Sequence, residues 1–94
     1  MNWPVRVRPE AELDALRASR WYEKQRPGLG GRFLVEIGRL AVSLSTNALL
    51  YRQSMDGLRC APTRRFPYAV YFRIQQGCVV IVSVLHMRRN RPEL

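Results

Sequence analysis

Acidic residues, lysine, histidine and cysteine are all scarce in this chain, and each shortage closes off a class of function. Seven Asp and Glu stand against sixteen Lys and Arg, and Glu93 is the only carboxylate near the sole histidine, His86. No Ser/His/Asp set and no carboxylate pair can be assembled, so nucleophilic and paired-carboxylate catalysis lack their residues. The two cysteines, Cys60 and Cys78, make no disulfide framework, and no Cys/His spacing resembles a zinc site. Neither a metal nor a cofactor is expected. The longest apolar run, Cys78 to Leu85, is far too short to span a bilayer, and MNWPVRVRPE contains no apolar signal core. These readings predict a cytoplasmic protein with no membrane partner.

What remains is apolar residue and arginine. At 94 residues and 47% hydrophobic content the chain reads as a single domain, residues 1–94, with enough burial for a modest core. A net charge of +9 calls for an acidic counterpart: nucleic acid, anionic lipid or an acidic protein. Every basic residue except Lys24 is arginine, whose flat fork suits bidentate contacts to phosphate or carboxylate. GC-rich codons also favour Arg over Lys, but they do not explain the total charge.

Trp3 to Arg8 alternates Val5 and Val7 with Arg6 and Arg8, the period of a half-buried strand, and Pro4 confines it to a strand start or sheet edge. Pro9 suits a first helical turn. Acids at Glu10, Glu12 and Asp14, followed by bases at Arg17, Arg20, Lys24 and Arg26, complement the dipole of a helix over Pro9 to Gln25. Its expected apolar face is Ala11, Leu13, Ala15, Ala18, Trp21 and Tyr22. Pro27-Gly28-Leu29-Gly30 breaks the pattern, and a second helix over Gly31 to Thr46 carries Phe33, Ile37, Leu40 and Leu44 on one stripe with Leu34, Ala41 and Ala48 beside it. So wide a face needs cover on more than one side, which predicts an antiparallel helix pair with the second helix also against a sheet.

The period changes after Leu49. Tyr51 to Ser54 is a short extended piece, Asp56-Gly57 a turn, and Leu58 to Arg65 a polar strand interrupted by Pro62. Tyr68 to Ile74 and Cys78 to Leu85 flank the tight turn Gln76-Gly77, and the second of these belongs in the middle of the sheet. The class is α+β: an N-terminal strand, an antiparallel helix pair and a three-stranded antiparallel meander, β-α-α-β-β-β.

Gly28, Gly30 and Gly31 lack the spacing of a phosphate loop and read as an interhelical turn. His86 can serve as acid or base, or simply cap a strand end. The arginines are the stronger signal. In a meander, Arg64 and Arg65 should converge with Arg88, Arg89 and Arg91 at one end of the sheet, beside Phe66, Tyr68 and Tyr71. That is a phosphate-contacting patch with stacking partners, or else a solvated rim.

WYEKQRPGLGGRF (Trp21 to Phe33), GLR (Gly57 to Arg59), RRFPYAVYF (Arg64 to Phe72) and VLHMRR (Val84 to Arg89) stand in the order and spacing of one superfamily. Across nearly its whole length the chain resembles the RelE/ParE toxins of type II toxin-antitoxin systems, and it is most similar to the ParE branch. The resemblance implies a small bacterial toxin neutralised by a ParD-like antitoxin in a hetero-oligomeric complex, acting on DNA gyrase as better-studied members do. In the RelE branch, which cuts messenger RNA on the ribosome, the matching positions on the middle strands are basic; here they read Cys60, Pro62 and Ala69. Only Arg88 retains a match, so the resemblance points away from a ribonuclease and from an enzyme generally. If there is catalysis, Arg88 and His86 carry it. Asn47-Ala48 departs from the Asn-Pro of many relatives and affects only the end of the second helix.

An antitoxin of this class implies an acidic, partly disordered tail that folds along the helix pair and sheet, with Leu34, Val35, Tyr51, Arg59 and Arg73 as contacts. The target surface is expected at Arg64, Arg65, Tyr68, His86, Arg88, Arg89 and Arg91. The alternatives are a RelE-like ribosome-dependent mRNA endonuclease and a non-toxic basic nucleic-acid-binding module.

Overall fold

A computed structural model describes residues 2–54 and 56–88. Strand β1 (Val5–Val7) leads into helix α1 (Pro9–Gln25), helix α2 (Leu29–Asn47) and a 3-10 turn (Ala48–Leu50); strands β2 (Arg59–Pro62), β3 (Tyr68–Gln75) and β4 (Cys78–His86) follow. The expected order β-α-α-β-β-β is therefore present. The sheet runs β1-β4-β3-β2. β4 is interior, as its apolar run predicts, but its partner on one side is the N-terminal strand, paired parallel as Val5↔Val79 through Val7↔Ile81. β2, β3 and β4 form the antiparallel meander.

α1 covers the sheet over β4 and packs on α2. Its buried stripe is Ala11, Ala15, Ala18 and Ser19, with Tyr22 half-buried. Leu13 and Trp21, expected on that face, are 51% and 55% exposed. The reason is angular: at ~100° per residue Leu13 lies roughly 200° from Ala11, on the opposite side, and Trp21 sits on the flank of the stripe. On α2, Gly30, Phe33 and Leu44 are buried and Ile37 and Leu40 pack against them. By length and composition alone, Leu29–Leu50 would pass for a membrane span. Its inner side is instead sewn into the core with Phe72, Val70 and Val79, while among the described residues nothing covers its outer side at Val35 and Val42. The expected cover on more than one side is present, since α2 packs both on α1 and on the sheet.

Gln76 and Gly77 both have positive φ (52° and 70°) and close the β3–β4 hairpin as a two-residue turn, the backbone that matches strand twist and favours glycine at its second position. Farther along, pairing jumps from Phe72↔Ile81 to Tyr71↔Ser83, which makes Val82 an extra residue on β4. This bulge moves the helix-facing set from Val79 and Ile81 to Val84, and with it turns His86 toward α1 rather than onto the open face.

β1 ends at Val7, so the outward N–H of Val84 meets no strand. The Asp14 carboxylate of α1 accepts it at 3.0 Å, covering an edge that would otherwise be open. Asp14→Ala is expected to cost about 1–3 kcal/mol, since it strands a partly buried donor, whereas Asp14→Asn keeps an acceptor and most of the stability. Chemical denaturation of the two variants checks this; equal stability of Asp14→Ala and the parent would contradict it.

β2 is shorter than expected, stopping at Pro62 instead of Arg65. The chain turns there because Thr63 donates its hydroxyl to the Phe66 carbonyl (2.6 Å) and its N–H to the Tyr68 carbonyl (2.9 Å), while Glu36 of α2 accepts the N–H groups of Arg64 and Arg65.

Candidate functional site

The β2–β3 loop and the end of β4 meet at one end of the sheet. Met87 donates its N–H to the Pro67 carbonyl (2.9 Å), and the rings of Tyr68 and His86 lie 5.4 Å apart, edge to face. Glu36 holds the loop by its backbone, so the side chains of Arg64 and Arg65 are left exposed. Arg88 is exposed as well, and donates its N–H to His86 Nδ1 at 3.1 Å. Five of the seven expected target-surface residues, Arg64, Arg65, Tyr68, His86 and Arg88, are therefore at this end; Arg89 and Arg91 lie outside the described residues.

A cleft of about 690 Å³ opens on the α1 side of this end, between Asp14, Arg17 and Trp21 of the helix and Tyr68, Val84 and His86 of the strands. Neither Arg17 nor Trp21 is expected at a site from the sequence, where Arg17 reads as one of the bases complementing the helix dipole and Trp21 as part of the apolar face. The available signal was the spacing of Asp14, Arg17 and Trp21, which places all three on one flank of α1.

Among the described residues no helix covers the opposite face of the sheet. Register lays Pro62, Ala69 and Leu85 in one row across β2, β3 and β4, and Cys60, Tyr71 and Ser83 in the next. Cys60, Pro62 and Ala69 thus share a face and sit side by side. The two rows contain no cation. In the next row Arg73 pairs with Val80, but its Nη1 donates to the Asp56 carbonyl (2.7 Å). Asp56 belongs to a clasp in which Ser54 and the Leu58 N–H bind its carboxylate. Those two donors, with Arg73 nearby, hold its carboxyl below the usual range. Among the described residues no group of three side chains could hold a metal ion.

The residues expected to meet an antitoxin divide in two. Leu34 and Val35 point outward from α2. Tyr51 packs on Phe72 at 6.0 Å, Arg59 donates to the Tyr51 carbonyl (2.5 Å) and to Gln53 Oε1 (3.3 Å), and Arg73 is tied to Asp56. These three secure the connection between α2 and the meander. Val42, Leu49 and Leu50, which are not among the expected contacts, are also exposed, at 73%, 59% and 80%. Val35, Val42 and Leu49 recur every seventh residue, a spacing that keeps them on one side of the helical segment.

A family model for the ParE toxin of type II toxin-antitoxin systems matches residues 5–91. The fold is similar to a chain of the chromosomal ParDE toxin-antitoxin system of P. aeruginosa, with a TM-score of 0.82 at 16% identity, covering 92% of this chain and 97% of that one. It is also similar to a chain of the RelBE2 toxin-antitoxin complex of Mycobacterium tuberculosis, with a TM-score of 0.62 at 25% identity, covering 92% and 99%. No curated protein sequence matches. With a family model spanning all of its strands and helices, this chain belongs to the ParE toxin family of type II toxin-antitoxin systems.

Proposed function

We propose that this toxin arrests growth in the bacterial cytoplasm by binding DNA gyrase rather than by cutting RNA, and that an acidic ParD-like antitoxin neutralises it by docking along α2. The open sheet face carries the first half of the reading. RNA cleavage needs groups that stabilise charge and move protons, and the rows Pro62-Ala69-Leu85 and Cys60-Tyr71-Ser83 bring no cation to that face. Binding a protein target makes no such demand, and the exposed Arg64, Arg65 and Arg88 supply a basic contact surface.

The antitoxin half is supported by solved relatives that are themselves toxin-antitoxin systems, and by α2. Its outer side presents Leu34, Val35 and Val42, continued by Leu49 and Leu50, between the exposed Arg32, Arg39 and Arg52. Glu36 is the only acid on the helix, and it is engaged by the β2–β3 loop. An apolar stripe bordered by one sign of charge suits an acidic amphipathic segment.

Two assays separate the readings: supercoiling by gyrase in the presence of the purified chain, and the integrity of transcripts in cells that express it. Inhibited supercoiling or trapped cleavage complexes with intact RNA is the expected result. Codon-positioned cuts abolished by Arg88→Ala would favour the ribonuclease. Salt-sensitive nucleic-acid binding without arrest would favour a plain binding module.

A further inference from the structure

The cleft beside α1 has a wall and a rim that a protein-binding toxin does not require. Aromatic rings run in edge contact from helix to strand: Trp21 to Tyr22 (5.2 Å), Tyr22 to Tyr68 (6.0 Å) and Tyr68 to His86 (5.4 Å). Trp21 is 55% exposed at the mouth, so part of its indole faces solvent. Arg17 and His86 line the same cleft, and His86 Nδ1 accepts the Arg88 N–H. The one carboxylate in the lining, Asp14, is bonded through Oδ2 to the Val84 N–H.

We propose that this cleft takes one unpaired nucleotide of a single-stranded nucleic acid, its base against the Trp21–His86 wall and its phosphate on Arg17. A base stacks on the exposed face of the Trp21 indole whatever its sequence, with the edge-on rings behind it holding that indole in place, and arginine supplies the charge that a backbone phosphate needs. A duplex would present only phosphates here, because its bases are stacked on one another and hide their faces. An acidic peptide would satisfy Arg17 but leave a wall of four rings without a matching surface. The site lies outside both the open sheet face and the outer side of α2, and it shares Tyr68 and His86 with the expected target surface.

The test uses the full chain with labelled oligo(dT) and oligo(U), an abasic strand of the same length and charge, and oligoglutamate. Both base-bearing strands are expected to bind about tenfold tighter than the abasic strand and to quench Trp21. Trp21→Ala removes that advantage and Trp21→Phe retains most of it. Arg17→Ala lowers the salt slope of binding by about one. Equal binding of the abasic strand would overturn the proposal by reducing the interaction to net charge. Displacement of the strands by oligoglutamate at matched charge would overturn it in favour of a peptide groove.

Discussion

Gly30→Ala will destabilise this toxin by about 3 kcal/mol, at the upper end for an added methyl group in a packed interior, while Gly31→Ala will stabilise it. A Cβ on Gly30 would lie 2.3 Å from the Ser19 carbonyl oxygen and about as close as 3.0 Å to Glu23 Oε1. The first contact is with backbone, so no rotamer relieves it. The helices must move apart where the pair is tightest. Glu23 is also the cap of α2, accepting the N–H groups of Gly28 (2.9 Å) and Gly30 (3.0 Å), so separation loosens both hydrogen bonds. At Gly31 a Cβ meets nothing within 4 Å, and the substitution recovers roughly 0.5–1 kcal/mol of helix propensity. Thermal melts of the two variants should diverge in opposite directions, with the midpoint of Gly30→Ala falling by roughly 15 °C. A Gly30→Ala melt within a degree or two of the parent would remove the close helix contact from the account.

The second large effect is expected on antitoxin binding. Val35 and Val42 are 53% and 73% exposed, so Val35→Asp with Val42→Asp leaves folding within about 0.5 kcal/mol of the parent. If the outer side of α2 receives the antitoxin, the same pair buries two carboxylates against an acidic, apolar partner. A loss of about thirtyfold or more in affinity is expected, the scale of removing a central anchor. The double variant should fail to co-purify with the antitoxin, and co-expression should no longer relieve growth arrest. Unchanged affinity would move the antitoxin to another face of the molecule.

Local signals in the sequence reach a long way into this fold. Pro9, the acid-to-base gradient and Gln25 bound α1 as observed, and Gln76-Gly77 sets the hairpin turn. What local signals could not supply came from partners distant in sequence. The parallel pairing of Val5–Val7 with β4 joins segments from opposite ends of the chain, and nothing in either strand names the other. Glu36 ends β2 by binding the Arg64 and Arg65 amides from a helix, so the strand reads longer than it is. The bulge at Val82 has no residue signature, yet it decides which face His86 occupies.

The site follows the same division. The convergence of Arg64, Arg65 and Arg88 follows from meander topology and was legible. Cys60, Pro62 and Ala69 fall on one face because two-residue alternation and antiparallel register put them there. The Arg17–Trp21 side of the cleft was not legible, since it needs α1 laid across β4 before the two can be seen together. Arg59 and Arg73 look like partner contacts in a basic sequence, whereas carbonyl groups of the chain's own backbone engage them.

Whether this ParE-family chain binds gyrase or cleaves RNA is decided by a supercoiling assay. Purified chain is added to gyrase, relaxed plasmid and ATP, with the antitoxin complex as the control. Free toxin is expected to block supercoiling or trap cleaved plasmid, the complex to do neither, and transcripts in arrested cells to remain intact. Normal supercoiling at stoichiometric excess of toxin, together with codon-positioned cuts in those transcripts, would contradict it.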